Sequence, residues 1–122
     1  MPRISGAITR NARKGSDLAL TRTFKQTIKA RAERDPAFRK ALLAEAVDLL
    51  LSGDTQTGRS VLRDYINATI GFESLAEDTG KPVKSLMRMF SPKGNPAASS
   101  LFAVISHLQK ATGVQLSVRD AA

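Results

Sequence analysis

The sequence predicts an all-α fold, a compact helical bundle with one short β-strand near its C-terminal end. Three observations carry this. Apolar residues recur at three- and four-residue spacing in successive runs from Leu20 to Leu108. Each run is bounded by helix punctuation: Asp35-Pro36 and Asp54 as starts, Gly53, Gly71, Gly80 and Gly113 as stops. Only after Gly113 does the period change to two, where Val114, Leu116 and Val118 alternate with Gln115, Ser117 and Arg119.

A chain of 122 residues accommodates one core and a tail. It has no cysteine, which excludes a disulfide framework and a thiolate metal site, and no apolar run approaches the ~18 residues of a membrane span. The first twenty residues are basic but lack the apolar centre of a secretory signal, so a cytoplasmic setting is expected. Charge is segregated along the chain. Residues 1–34 hold nine Lys/Arg against two acids, residues 35–80 four against eight, and residues 81–122 six against one, within a net charge of +8. Two basic zones flanking an acidic one point to a polyanion partner on one surface and a different role for the other.

Taken in order, residues 1–19 carry scattered Arg, Lys, Gly and Ser without periodicity and are expected to form a disordered basic arm, either following DNA or simply an untethered terminus. The remaining residues, 20–122, are expected to form a single helical domain. Leu20, Phe24 and Ile28 make one apolar stripe on a helix to Arg34 that must dock on the domain or on a partner. Asp35 caps and Pro36 opens a helix to about Ser52, whose Phe38, Leu42, Leu43, Ala46, Val47, Leu49, Leu50 and Leu51 cover more than one stripe and predict a buried core helix. After Gly53, Asp54 caps the next, which runs to Ile70 with Val61, Leu62, Tyr65, Ile66 and Ile70 inward.

The stretch from Phe72 to Phe90 organises the rest. It reads as two short helices broken at Gly80, with Leu75 and Ala76 inward on the first and Leu86 and Met89 inward on the second. That is helix-turn-helix spacing. Gly80 can take the positive φ that turns the chain, Lys81 is pushed out of helical geometry by the following proline, and Pro82 is the expected first residue of the second helix. This second helix places Val83, Lys84, Ser85 and Arg88 outward, and no acid occurs from Lys81 to Phe90. The first helix, by contrast, carries Glu73, Glu77 and Asp78. A cationic, acid-free helix presented after a tight turn suits a DNA major groove. In the following Ser91-Pro92-Lys93-Gly94-Asn95-Pro96, Lys93-Gly94 reads as an exposed turn, and Asn95-Pro96 as the cap and first-turn proline of a helix to about Thr112. Leu101, Phe102, Val104, Ile105 and Leu108 are expected to pack beneath the motif. The free amides at that helix start, with Lys93 beside them, favour a phosphate. The candidate DNA-binding residues are thus Lys81, Pro82, Val83, Lys84, Ser85, Arg88, Lys93 and Asn95.

The segment resembles the helix-turn-helix of lambda-repressor-like regulators. Its continuation, the Ser-Pro-x-Gly-Asn-Pro loop at 91–96, resembles that of the addiction-module antidote proteins, the antitoxins of chromosomal toxin–antitoxin pairs, over roughly residues 36–118. It departs from the general pattern at Phe72, Thr79 and Lys81. The resemblance implies a homodimeric transcriptional regulator that binds double-stranded operator DNA and represses its own operon. It also implies a small RelE/ParE-like toxin as partner, for which the acidic zone at 35–77 would be the docking surface. The alternatives are an orphan phage-type regulator with no toxin, or a mainly toxin-sequestering protein with weak DNA binding.

Enzymatic chemistry has little footing. His107 is the only histidine and neighbours apolar Leu108, no serine sits in a nucleophile-elbow context, and the glycines are single helix stops rather than a phosphate-cradling cluster. No catalytic residue, cofactor or metal is expected. Asp48 reads as part of a solvated face, Asp54 as a cap, and Met87 and Met89 as packing residues, Met87 alternatively at a DNA edge.

Overall fold

A short carboxylate at a helix start can accept from amides that the first turn leaves unpaired. In the computed structural model, which describes residues 23–120, Asp35 accepts from Phe38 N at 3.1 Å and Asp54 from Thr57 N at 3.2 Å. Six helices form among the described residues: α1 (residues 23–34), α2 (Pro36–Leu51), α3 (Thr55–Ala68), α4 (Gly71–Thr79), α5 (Val83–Met89) and α6 (Ala98–Thr112). The chain is all-α, and among the described residues no helix is long and apolar enough to cross a membrane. The basic arm expected at residues 1–19, and Leu20 of the first apolar stripe, lie outside the described residues.

The core is built on the pairing of α2 with α3. Gly53, at φ +93°, turns the chain between them, and Gly58 lets them cross closely. A Cβ at Gly58 would stand 2.8 Å from Leu50 Cδ2 and 3.2 Å from the carbonyl oxygen of Ala46. Leu43, Leu62, Tyr65 and Ile66 from this pair join Leu75, Leu86, Phe90, Val104 and Leu108 in one contiguous apolar cluster. Tyr65 and Thr112 share a hydroxyl hydrogen bond of 2.6 Å that ties α3 to the end of α6. Burial of the Tyr65 ring pushes its phenol above the ordinary value.

α2 is less buried than its composition predicts. Leu43 and Ala46 are fully covered, Leu42, Val47 and Leu50 are half-buried against the core, and Leu51 is 62% exposed. A second apolar face of this helix is therefore open. Phe102 differs in the same way: the inward stripe of α6 is Leu101, Val104, Ile105 and Leu108, and Phe102 projects beyond its edge at 56% exposure. In the first helix Ala32 is buried and Ile28 half-buried, while Phe24 remains exposed. Arg39 fixes the α1–α2 junction by donating to Ala32 O at 2.6 Å, and the Arg31 guanidinium lies 4.6 Å from the centre of the Phe38 ring.

The expected C-terminal strand does not form among the described residues. Alternating apolar residues make a strand only when a neighbouring strand takes up the backbone groups, and here the tail instead folds back along α6. Val114 enters the core, and the Leu116 N–H donates to the Gln109 side-chain oxygen at 2.7 Å.

Candidate nucleic-acid interface

The α4–α5 corner follows from its backbone chemistry. Gly80 closes α4 at φ +73°, where a Cβ would be strained, and its N–H returns to Ala76 O at 2.9 Å. Pro82 does not take the first helical position as expected. With ψ at 143° it is the cap, its carbonyl accepts from Leu86 N at 3.1 Å, and α5 begins at Val83. The proline's fixed φ of −62° suits either place; the extended ψ lets two non-helical residues, Lys81 and Pro82, span the corner.

Leu86 anchors α5 with no exposed surface, and Phe90 at the end of the helix packs on Phe72 of α4 with ring centres 6.1 Å apart. Anchoring on that side leaves an outer arc. Lys84, Ser85 and Arg88 all lie on it, exposed, with Met87 at one edge. Lys84 and Arg88 are one turn apart, so the structure brings these two cations onto one face. Val83 is displaced from the outward set: it is half-buried and packs on the core. Lys81 is half-buried at the corner and Pro82 exposed.

The wall facing this corner is acidic. A notch between α4 and α5 has Glu73 and Glu77 on one side and Lys81, Pro82 and Val83 on the other. A polyanion would be repelled along the α4 wall and accepted on the outer arc of α5, which fixes the side a duplex could approach.

The carboxyl end of α5 is held in a way that sequence reasoning missed. Arg59 on α3, only 8% exposed, donates from Nη1 to Met89 O at 3.1 Å and to Ser91 O at 2.7 Å. Arg63, one turn on, reaches Phe90 O at 3.5 Å. These carbonyls form the negative end of a helix, where a cation is favoured. A signal was available: Arg59 stands three residues before Leu62 and seven before Ile66, on the inward stripe of α3 rather than its surface.

The loop after α5 is drawn onto the same end. Ser91 donates through N and Oγ to Arg88 O, at 3.2 and 2.8 Å, and Gly94 N donates to Ser91 O at 3.0 Å. A Cβ on Gly94 would collide with the carbonyl oxygens of Arg88 and Met89, so only glycine fits against this turn. Lys93 is thereby placed, exposed, beside the last turn of α5. Asn95 is also exposed, but it does not cap α6 as expected. The α6 cap is Ala97, with no side-chain bond, because docking of Gly94 on α5 delays the next helix to Ala98. The sole histidine, His107, lies with Nε2 3.1 Å from Asp78 Oδ2 and bridges α6 to α4.

Comparison with protein-family models, with curated proteins and with solved structures finds no match for this chain. The functional reading therefore stands on the α4–α5 corner itself and on the resemblance of its loop.

Proposed function

We propose that the chain is a sequence-specific double-stranded DNA-binding regulator of the helix-turn-helix kind, with α5 as the helix that enters the major groove. One observation carries the reading. The outer arc of an acid-free helix presents Lys84, Ser85 and Arg88 together, and its opposite side is locked by Leu86 and by the Arg59 bonds to its end. Arg88 offers two parallel donors to a guanine edge, Lys84 a point charge to guanine or phosphate, and Lys93 a phosphate contact at the helix end. Asn95 and Lys81 flank that footprint.

The resemblance extends the proposal to a cytoplasmic, homodimeric antitoxin that represses its own operon. A second copy supplies the second half-site that one short helix lacks. Acidic residues between 35 and 77, other than Asp48, are the ones we assign to contact with a basic RelE/ParE-like toxin. Selection of bound duplexes from a random pool, followed by titration of the winner and a scrambled duplex at one salt concentration, tests DNA binding. Enrichment of a pseudo-palindrome supports the reading; a pool with no preferred sequence removes it. Co-expression with the adjacent reading frame tests the antitoxin role separately, and absence of a short basic toxin gene there leaves an orphan regulator.

A further inference from the structure

Among the described residues, an uncovered apolar surface lies away from the α4–α5 corner. Leu51 on α2, Phe102 on α6 and Val118 on the tail are 62%, 56% and 79% exposed. They surround a groove of about 440 Å³ floored by Val47, Ile105 and Leu116. Contiguous apolar surface of this kind on a small domain marks a contact site, and no residue of α4 or α5 lines it.

The patch carries its own complement. It has projecting side chains, Phe102 and Leu51, next to a hollow, and its rim holds Asp48 on α2 and Arg119 on the tail. A two-fold contact requires one surface to bear both knob and hole and both signs of charge. We propose that this face takes a second copy of the chain, with Phe102 and Leu51 of each copy seated in the groove of the other and Asp48 of each facing Arg119 of its mate. The tail then contributes side chains to the dimer.

Residues 1–22 of the same chain are a poorer occupant. They hold five Lys/Arg and one acid and few large apolar residues, so they would meet Asp48 favourably but be repelled by Arg119. A foreign protein would need no self-complementary rim. The inference deepens the proposed function, which calls for two copies, because a dimer closed through α2, α6 and the tail leaves both α5 helices open. Its test involves no DNA.

Sedimentation of the full chain at micromolar concentration should give a dimer. Phe102→Glu should raise the dimer dissociation constant on the order of 30-fold or more, the scale of losing an aromatic anchor, with an unchanged circular dichroism spectrum because the residue is exposed. Asp48→Arg and Arg119→Asp should each weaken the dimer, and the two together should restore it. A monomeric wild-type chain overturns the proposal, leaving the face to residues 1–22 or to another protein. So does a dimer that both Phe102→Glu and the single charge reversals leave intact. A dimer that responds as expected but binds no duplex would sink the proposed function and leave this inference standing.

Discussion

Arg59 and Ser91 are joined across the molecule: the guanidinium Nη1 of one donates to the carbonyl oxygen of the other at 2.7 Å, and also to Met89 O at 3.1 Å. One side chain of α3 thus spans the last carbonyl of α5 and the start of the loop that follows. A seven-residue helix has too few internal hydrogen bonds to hold its own geometry in water. Besides the buried Leu86, its position is set by what grips its ends, Pro82 and the glycine turn on one side and Arg59 on the other.

Removing that grip should be measurable as stability. Arg59→Ala leaves the Met89 and Ser91 carbonyls without their charged donor and should lower the unfolding free energy by about 1.5 to 3 kcal/mol, read from urea denaturation. Arg59→Lys should recover only part of it, because a single ammonium cannot reproduce the planar fork of a guanidinium. Equal stability of the alanine variant and the wild type would show that the bonds are not made in solution.

Gly94 is a second, independent grip. Its backbone runs against the carbonyls of Arg88 and Met89, so Gly94→Ala introduces a methyl group that backbone alone must accommodate, at a cost of about 1 to 3 kcal/mol by the usual scale of overpacking. Lys93→Ala, one residue earlier and exposed, should stay within about 0.5 kcal/mol. Thermal unfolding of the two variants side by side makes the comparison. A Gly94→Ala melting temperature no lower than that of Lys93→Ala would mean the loop does not rest on α5.

The cap at Asp35 should show in the acid limb of stability. The Phe38 N–H bond, and after it the Arg31 side chain, hold this carboxyl below its ordinary value of 3.8. A depressed folded-state pKa stabilises the fold above the unfolded value and loses that contribution as pH falls through the folded one. Asp35→Asn should therefore flatten the fall in stability below about pH 4 while retaining a capping oxygen. An acid limb of unchanged slope in the variant would remove Asp35 from the set of groups that drive acid unfolding.

The local parts of this fold were legible in the sequence because local chemistry decides them. Asp35 and Asp54 cap as their positions predict, Gly80 turns the α4–α5 corner, and Leu75, Ala76 and Leu86 are buried. What escaped depends on partners distant in the chain. Arg59 stands on the inward stripe of α3, but its partner emerges only when α3 is laid against the end of α5, 30 residues on. Asn95-Pro96 has the form of a helix start, yet the contact of Gly94 with α5 moves that start to Ala98. The period-two pattern at 114–118 is real, but no neighbouring strand among the described residues completes it. Leu51 and Phe102 look like core in a one-dimensional pattern, and only the placement of α2 beside α6 shows them on the surface.

The proposed entry of α5 into the major groove yields the prediction that bears most directly on function. Arg88 and Lys84 share the outer arc, whereas Lys93 sits in the loop that folds back beside the helix end. A side chain reading a base edge loses its contact only on the specific sequence, and one on phosphate loses it on any duplex. Arg88→Ala should therefore cost on the order of 1 to 3 kcal/mol on the selected operator and less on a scrambled duplex. Lys93→Ala should weaken both duplexes alike and reduce the slope of log K against log salt by about 1. Both residues are exposed and neither supports the core, so circular dichroism should confirm an intact fold before the titrations are compared. Equal losses for Arg88→Ala on the two duplexes would move Arg88 from base reading to phosphate. Full operator affinity in the Lys84, Arg88 double alanine variant would remove α5 from the groove, because no other exposed cation lies on that helix.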